Sequence, residues 1–414
     1  MVRMIFKKIM EKEILRDNFI LFSSLMLLNI LGYVFHFFAG RKLGPEDYGT
    51  FGVLLSILYL FNIILTVVQT SMTKFSSEFK NEEGKLSYLF AHSLKKLSFY
   101  GLILTLIYFA LSPFIAKFLN ISEVLPVFIT GTFLFLSFGI AVNRGILQGL
   151  QNFKKLGLSY VFEGLTKIFF GILLIYIGWK VNGAVLAITF SYIAAFLIAL
   201  LPLRKLFKLP KIKIDTKAVY NYSVYVFFSL VLLTLLYTID VVLVKHFLSA
   251  TEAGFYVALS LLGKIIFFGT LSVSMVMFPK ASEMFEAKEA SKSLLYKSLG
   301  LVLLFGVPVT LFYFLFPEFS VGLLYGKDYF GVAGYLGYFG IIMTLFSLIY
   351  IISFYLLSIK KYKFIYILLG FVVLETALIW LFHGTIGVVV NIMLGLMTLL
   401  FLVMVILAGT TKHG

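Results

Sequence analysis

Residues 385–408 read TIGVVVNIMLGLMTLLFLVMVILA, a run of 24 residues without one charged side chain. A helix needs about 20 apolar residues to cross the hydrocarbon core of a bilayer. The run is long enough to do so. Because its apolar residues are continuous rather than alternating, it predicts a transmembrane helix and not a barrel strand.

Eleven other runs of this kind precede it, and together they predict an all-α integral membrane protein with about 12 transmembrane helices. The chain has 414 residues, of which 61% are apolar and 13% charged, against about 45–50% and about 25% in soluble domains. This composition excludes a soluble enzyme, a nucleic-acid-binding protein and a disordered scaffold, because a soluble chain could not bury so much apolar surface. The eleven runs cover about 18–39, 50–71, 98–118, 124–143, 157–178, 182–203, 220–244, 254–278, 299–316, 331–358 and 364–382.

Lysine and arginine are distributed unevenly over the predicted loops. Of 35 such residues, 27 lie on the side that also holds both termini, two fall inside spans, and six lie on the opposite side: Arg41, Lys42, Lys117, Lys180, Lys245 and Lys327. The positive-inside rule therefore predicts a multi-pass protein of the cell membrane with both termini in the cytoplasm. The net charge of +16 then reflects basic loops that face anionic lipid, not a nucleic-acid partner.

Two segments 205 residues apart are similar. Residues 43–51 (LGPEDYGTF) align with residues 248–256 (LSATEAGFY), and spans 1 and 2 shifted by 205 fall on spans 7 and 8. Six spans per half is an even number, so both halves insert the same way up. This repeat predicts two parallel six-helix lobes, 1–203 and 220–414, around a central cavity, joined by a cytoplasmic linker at 204–219.

Motifs for cofactor or metal chemistry are not found in the chain. There is no cysteine, which excludes disulfides and thiolate catalysis. Neither the GxxxxGK[ST] nor the HExxH pattern occurs, so we expect no built-in ATP motor, no metal site and no cofactor. The protein is predicted not to be an enzyme, and the candidate functional residues are the polar ones inside the spans.

Two lysines lie near the middle of predicted spans, where a charge costs a few kcal/mol unless it faces a cavity or a partner. Lys264 in span 8 has no acidic residue within a turn of its own helix, so it must line water or find a partner across the bundle. Lys167 in span 5 follows Glu163 at the i,i+4 spacing, at which the two can pair. A structural pair and a role in a lumen both remain open for Lys167.

Three other charged residues are candidates. Arg144 closes span 4 as either an ordinary basic anchor or a substrate contact, and Asp240 and Glu375 occupy the outer parts of spans 7 and 11. Asp240 and Glu375, together with Glu163, are candidate sites for a coupling H⁺ or Na⁺, although Asp240 is shallow enough for simple solvation. Two lysines in a lumen favour an anionic ligand, such as a phosphate-linked amphiphile, over a cation.

Four short motifs carry a resemblance to a known family. They are AGRKLGPEDYG at 39–49, RGILQGLQ at 144–151, Asp240 followed by EAGFY at 252–256, and Phe278-Pro279. With these motifs the chain resembles the polysaccharide transporter (O-antigen flippase) family of the multidrug/oligosaccharidyl-lipid/polysaccharide superfamily.

The resemblance implies an alternating-access flippase whose cavity opens to one side of the membrane at a time. Its partners would be membrane lipid and polyprenyl-phosphate-linked glycans, which it would move from the cytoplasmic to the outer leaflet, coupled to H⁺ or Na⁺. A cationic lumen would hold the headgroup, and Lys264, Lys167 and Arg144 are compatible with that role.

Two alternative functions remain. A cation-coupled multidrug antiporter of the same superfamily would need an acidic cavity, whereas the charges inside the spans include two lysines. A membrane-embedded sugar polymerase would need a sizeable outer loop with catalytic residues, and the predicted outer loops are short. A purely structural scaffold would not need lysines in the middle of spans.

Overall fold

The computed structural model describes residues 2–214, 224–286 and 291–410, and every regular element within them is helical. In this part of the chain, ten helices are long and apolar enough to cross a membrane. Two of them, Ser23–Glu78 and Phe153–Lys208, run over 56 residues each, which as a straight helix would be about 84 Å long. Each is broken once and holds two of the predicted spans, so the prediction of an all-α membrane protein with about 12 spans is confirmed.

Glycines with positive φ break these two long helices. Gly44 has φ 72° and ψ 173°, and Gly178 has φ 94° and ψ 8°. An L-residue with a Cβ rarely adopts these angles, whereas glycine does so at no steric cost. Pro45 follows Gly44 directly and suits the first turn of the next helix segment, where its missing N–H has no partner to lose. The chain therefore turns at Gly44-Pro45, between predicted spans 1 and 2.

Thirteen α-helices are described. A π-helical turn, Ile175–Trp179, and two 3-10 segments, Leu201–Lys208 and Lys327–Tyr335, lie between them. The α-helices are α1 Val2–Glu78, α2 Glu83–Phe118, α3 Leu125–Gly149, α4 Phe153–Leu174, α5 Lys180–Leu200, α6 Val224–Leu235, α7 Ile239–Phe247, α8 Ala250–Glu286, α9 Lys292–Leu315, α10 Pro317–Leu324, α11 Leu336–Ser358, α12 Phe364–Leu381 and α13 Ile386–Thr410.

The chain forms two compact units. Unit 1 consists of residues 1–42 and 61–224, and unit 2 of residues 43–60 and 225–414. In unit 1, α3 packs against α2 and α5, and 72% of its membrane window is buried. In unit 2, α11 packs against α8, α9 and α13, and its window is 78% buried. These two central helices hold the fourth span of each half, so each unit has its core in the equivalent place.

Residues 43–60 belong to unit 2, whereas the sequence-based boundary assigns them to the first lobe. Close approach at two glycines explains the difference. A Cβ on Gly49 would lie 2.6 Å from the backbone nitrogen of Gly254, and a Cβ on Gly52 would collide with the side chain of Val257. Both pairs are 205 residues apart.

The predicted linker is described only as far as residue 214. Its first part is held to α2 by three hydrogen bonds. Ser87 Oγ donates to the carbonyl oxygens of Leu206 at 2.7 Å and Leu209 at 3.3 Å, and Ile212 N–H donates to that of Gly84 at 3.0 Å. The remainder of the predicted linker, 215–219, lies outside the described residues.

Span 7 is discontinuous, although its sequence predicts an uninterrupted helix. Helix α6 ends at Leu235 and α7 begins at Ile239. Between them the backbone forms tight turns, in which Tyr237 N–H donates to Thr234 O at 3.2 Å and Thr238 N–H to Leu235 O at 3.1 Å. Neither glycine nor proline occurs there. Such a break within a span is tolerated where it is buried in protein or lines a cavity. The side chains around the break are therefore candidate functional residues.

The contact at Gly254 generates the first prediction. In a Gly254→Ala variant the new Cβ would collide with the carbonyl oxygen of Pro45. Because backbone must shift to make room, we expect the variant to lose about 1–3 kcal/mol of unfolding free energy. Thermal unfolding in detergent measures this loss as a lowered Tm.

Gly370→Ala is the matched control, since this helical glycine in α12 has open space around the new Cβ. Without a clash, alanine should leave the Tm unchanged or raise it, because it lowers the backbone entropy of the unfolded chain. An equal loss of stability in both variants would contradict the close contact.

Candidate functional site

Unit 2 buries four charged side chains among its described residues, and three of them, Asp240, Lys264 and Glu375, lie within the predicted spans, whereas Lys245 follows span 7 directly. Asp240 on α7 and Glu375 on α12 are 0% exposed, and Lys264 on α8 is 2% exposed. The sequence singled out all three, but it could not place them relative to one another. The structure brings them into one unit together with three tyrosine side chains.

Asp240 is held by a hydrogen bond. Its Oδ2 accepts from the hydroxyl of Tyr256 at 2.8 Å, while its Oδ1 has no donor among the described residues. Tyr256 is the last residue of the EAGFY motif and is fully buried. Asp240 is therefore not solvated at the membrane surface, which was the simpler interpretation of its sequence position. It keeps one oxygen without a donor, as a carboxyl group that binds a cation or a proton would.

Lys264 lies in an aromatic environment. Its ammonium group is 5.2 Å from the ring centroid of Tyr237 and 5.6 Å from that of Tyr59, which is within the range of cation–π attraction. The Asp240 carboxylate also attracts it, although no direct ion pair between the two is found among the described side chains. Lys264 thus finds its partners across the bundle.

A small cavity adjoins Lys264. Its volume is about 10 Å³, close to the smallest space that holds one water molecule. Tyr59, Val257 and Ser260 are among the residues that line it. The ammonium group is therefore enclosed in the conformation described, and a larger ligand could reach it only after these side chains move apart.

Glu375 has no direct hydrogen-bond partner. Neither of its carboxyl oxygens has a donor within the described part of the chain, and Asp240 is close enough to repel it electrostatically. A buried carboxylate without donors is costly, whereas the protonated form avoids most of that cost. Asp240, Lys264 and Glu375 together thus place two carboxyl groups and one ammonium group in the buried part of unit 2.

The break in span 7 positions part of this site. Tyr237, whose ring faces the Lys264 ammonium group, lies between α6 and α7, and Asp240 occupies the first turn of α7. Sequence reasoning missed both the break and the aromatic partners, because no local signal marks the turn. The position of Tyr256 inside a family motif was the one available indication.

Unit 1 contains a second buried charge cluster. The Arg144 Nη2 forms an ion pair with the Glu163 Oε2 at 2.7 Å, and the two side chains are 7% and 6% exposed. Arg144 Nε also donates to the Ser159 Oγ at 3.0 Å, and its guanidinium group lies 3.9 Å from the ring centroid of Tyr160. These contacts join the end of α3 to α4 and occupy most of the guanidinium group.

Lys167 does not form the ion pair with Glu163 that its spacing allows. It is half-buried one turn farther along α4, and the Glu163 carboxylate attracts it without a direct contact among the described side chains. The expected Glu163–Lys167 pair is replaced by Glu163–Arg144. The planar guanidinium group reaches Glu163 from a neighbouring helix while also bonding Ser159, which a flexible ammonium group does less well.

Small residues and amides support Arg144. A Cβ on Gly145 would lie 2.7 Å from the carbonyl oxygen of Gln69, so α3 approaches α1 closely there. Gln69 Nε2 donates to the Gln148 Oε1 at 2.9 Å and to the Tyr160 hydroxyl at 3.2 Å. The RGILQG segment thus combines close helix contact with an amide network that holds the ion pair in place. Among the described residues, no group of three side chains is arranged to hold a metal ion.

Comparison with known proteins identifies the family. The sequence profile of the family described as "Polysaccharide biosynthesis protein" matches residues 14–285. The chain belongs to this family. The resemblance recognised from the short motifs is confirmed, and the match runs over both buried charge clusters except for Glu375.

Similar proteins support the same assignment. An uncharacterized membrane protein of Methanocaldococcus jannaschii is 24% identical over 289 residues, which are 65% of this chain and 68% of that protein. The inward-facing structure of a multidrug resistance MATE transporter of the MOP superfamily has a TM-score of 0.75 at 13% identity and covers 94% of this chain and 98% of its own. The lipid II flippase MurJ, in an inward closed conformation, has a TM-score of 0.69 at 15% identity and covers 94% of this chain and 88% of its own.

The fold is shared with these two solved structures, of which one is a multidrug resistance transporter and the other a lipid II flippase. The ten long apolar helices make it a multi-pass membrane protein.

The ion pair in unit 1 generates a second prediction. In a Glu163→Gln variant the buried Arg144 loses its negative partner, and breaking a buried pair in this way costs about 3–5 kcal/mol. We expect a correspondingly lower Tm in detergent. Lys167→Gln serves as the matched control on the same helix and should lower the Tm far less, because Lys167 takes no part in the pair. Equal losses would show that Lys167 and not Arg144 is the partner of Glu163.

Proposed function

We propose that this protein flips lipid-linked oligosaccharide or polysaccharide precursors from the cytoplasmic to the outer leaflet by alternating access. Membership of a polysaccharide biosynthesis family supports a glycan substrate. A solved structure with the same fold is a lipid II flippase, and flipping of a lipid-linked substrate is the activity that we carry over from it. The observation that carries the proposal is a buried lysine in a site with exchangeable negative partners.

Lys264 supplies the positive charge for the phosphate or pyrophosphate of the substrate. In the enclosed conformation its charge is balanced by Asp240 and the faces of Tyr59 and Tyr237. A lysine ammonium group is a compact point charge that suits phosphate. The arriving phosphate competes with Asp240 for Lys264, and the break in span 7 lets Tyr237 and Asp240 move without unfolding a whole helix.

The same competition couples the substrate to an ion. When phosphate neutralises Lys264, Asp240 loses its positive neighbour, and a buried carboxylate in that state favours a proton or Na⁺. Glu375, which lies close enough to interact with Asp240, extends the site to a second carboxyl group. Release of the phosphate restores the attraction between Lys264 and Asp240 and expels the ion. Substrate and coupling ion are thus bound together and released together.

Lys167 and Arg144 have different parts in this proposal. Lys167 is half-buried and without a direct ion pair in the described structure, so it is the second candidate contact for the substrate phosphate. The guanidinium group of Arg144 is already bonded to Glu163 and Ser159. We therefore assign Arg144 and Glu163 to positioning α4, with Lys167 on it, rather than to direct phosphate binding or ion coupling.

Loss of the Lys264 charge tests this function. We expect Lys264→Gln to abolish flipping of a defined polyprenyl-pyrophosphate-linked oligosaccharide in proteoliposomes, because no other charge in the unit 2 cluster is positive. Lys264→Arg should retain part of the rate. Lys297→Gln, which removes an exposed lysine of the same unit, is the control and should flip at the wild-type rate.

The Tm of each variant, measured in detergent, separates lost function from lost folding. Wild-type flipping by a folded Lys264→Gln variant would overturn the role of Lys264. Transport of a cationic dye in place of the glycan lipid by the wild-type protein would favour the multidrug antiporter instead.

Localisation in the cell membrane with both termini in the cytoplasm is part of the proposal and has its own test. Because the chain contains no cysteine, single cysteines can be labelled without background. We expect a membrane-impermeant maleimide to label Lys117→Cys and Lys327→Cys in intact cells, since both side chains are exposed at the less basic end. Lys155→Cys and Lys361→Cys should react only after permeabilisation, and the reverse pattern would invert the assigned orientation.

A further inference from the structure

An open pocket lies on the surface of unit 1, and none of its lining residues belongs to either charge cluster. Its volume is about 660 Å³, within the range of about 300–1,000 Å³ that holds small molecules. Helix α2 supplies most of its wall and α3 the rest. The lining residues are His92, Lys95, Lys96, Ser98, Phe99, Leu102 and Phe135.

The charges of α2 locate this pocket relative to the membrane. Lys96 and Lys117 enclose 20 residues, 97–116, that carry no charge. At 1.5 Å per residue these span about 30 Å, the thickness of the hydrocarbon core. Lys95 and Lys96 therefore lie at the boundary between headgroups and hydrocarbon, and Phe99 and Leu102 lie below it.

Along one face of α2 the side chains change from basic to apolar at this boundary. His92, Lys95, Lys96, Phe99 and Leu102 follow a spacing of 3, 1, 3 and 3 residues, which places them on one side of a helix. The first three are basic or titratable and the last two are apolar. From Lys95 to Leu102 the helix rises about 10 Å, so a cationic end passes into an apolar wall over the length of a headgroup and the start of an acyl chain.

The apolar wall is accessible from the lipid. Phe99 is 59% exposed, Leu102 44% and Phe135, contributed by α3, 42%. A soluble anion would gain nothing from these side chains. An amphiphile with an anionic head and a hydrocarbon tail would use both parts of the pocket.

A second open groove differs from this pocket in the charge of its lining. It lies in unit 2, has a volume of about 440 Å³, and is lined by apolar side chains and two threonines, among them Val307, Phe314 and Phe401. No cationic residue lines it. Ordinary lipid tails suffice to fill such a groove, whereas the pocket on α2 can select its lipid by charge.

We propose that the pocket on α2 binds an anionic phospholipid of the bilayer. Lys95 and Lys96 contact the phosphate headgroup, and Phe99, Leu102 and Phe135 contact the first part of one acyl chain. The site is separate from the Lys264 cluster, so it would hold a resident lipid rather than the transported substrate.

Binding of phosphatidylglycerol to the purified full-length protein, followed by native mass spectrometry, tests the proposal. We expect a Lys95→Gln/Lys96→Gln variant to bind this lipid about 30-fold more weakly, because each lysine near the headgroups contributes about a fivefold preference for anionic lipid. Phe135→Ala, which leaves both charges in place, should weaken binding less. Phosphatidylcholine should bind the wild-type protein and the double variant equally.

Lys154→Gln/Lys155→Gln is the matched control, since it removes two adjacent exposed lysines of the same unit that do not line this pocket. It should bind phosphatidylglycerol like the wild type. Equal weakening by both double variants would overturn the site in favour of general surface charge. If inorganic phosphate at the same concentration as the lipid competed with it, the acyl-chain contacts would not contribute to binding. If polyprenyl phosphate bound selectively over phosphatidylglycerol, the pocket would hold substrate and not a resident lipid. None of these readouts depends on flipping activity.

Discussion

Hydrocarbon cannot solvate a polar group, and this single constraint governs most of the structure. It forces every backbone N–H and C=O within the bilayer to find a partner inside the protein, which helices do within their own segment. It also makes each charged side chain in a span costly unless another group compensates it. The helices follow from the first consequence, and the two buried clusters around Arg144 and Lys264 follow from the second.

Compensation takes a different form in each unit. In unit 1 the charges cancel directly, through a 2.7 Å ion pair whose arginine is also bonded to a serine and stacked on a tyrosine. In unit 2 they cancel loosely, since Lys264 faces two aromatic rings and is attracted by Asp240 without contact. A direct pair resists exchange, whereas a loosely balanced charge can pass to another partner at small cost. This difference is why we propose a transport role for the unit 2 cluster and a positioning role for the unit 1 pair.

Glycine serves two separate purposes in the fold. At Gly44 and Gly178 it permits backbone angles that break a long helix into two spans. At Gly49 and Gly254 it lets two helices touch at positions 205 residues apart. The second use assigns residues 43–60 to unit 2, and therefore Tyr59 to the Lys264 cluster. The sequence repeat that placed these glycines in register thus also determines which residues surround the buried lysine.

The sequence by itself determined the twelve spans, their helical form and the residues that had to be compensated, because hydropathy and charge act along the chain and need no tertiary information. It also contained the motifs that mark the family. The tertiary structure alone decided that Glu163 pairs with Arg144 and not with Lys167, that span 7 breaks next to Asp240, and that Tyr256, Tyr237 and Tyr59 join the cluster. Each of these depends on which helix faces which. Helix contacts in a membrane are set by close packing of small residues rather than by a hydrophobic pattern. Hydrophobic periodicity in the sequence therefore does not predict which helices are in contact.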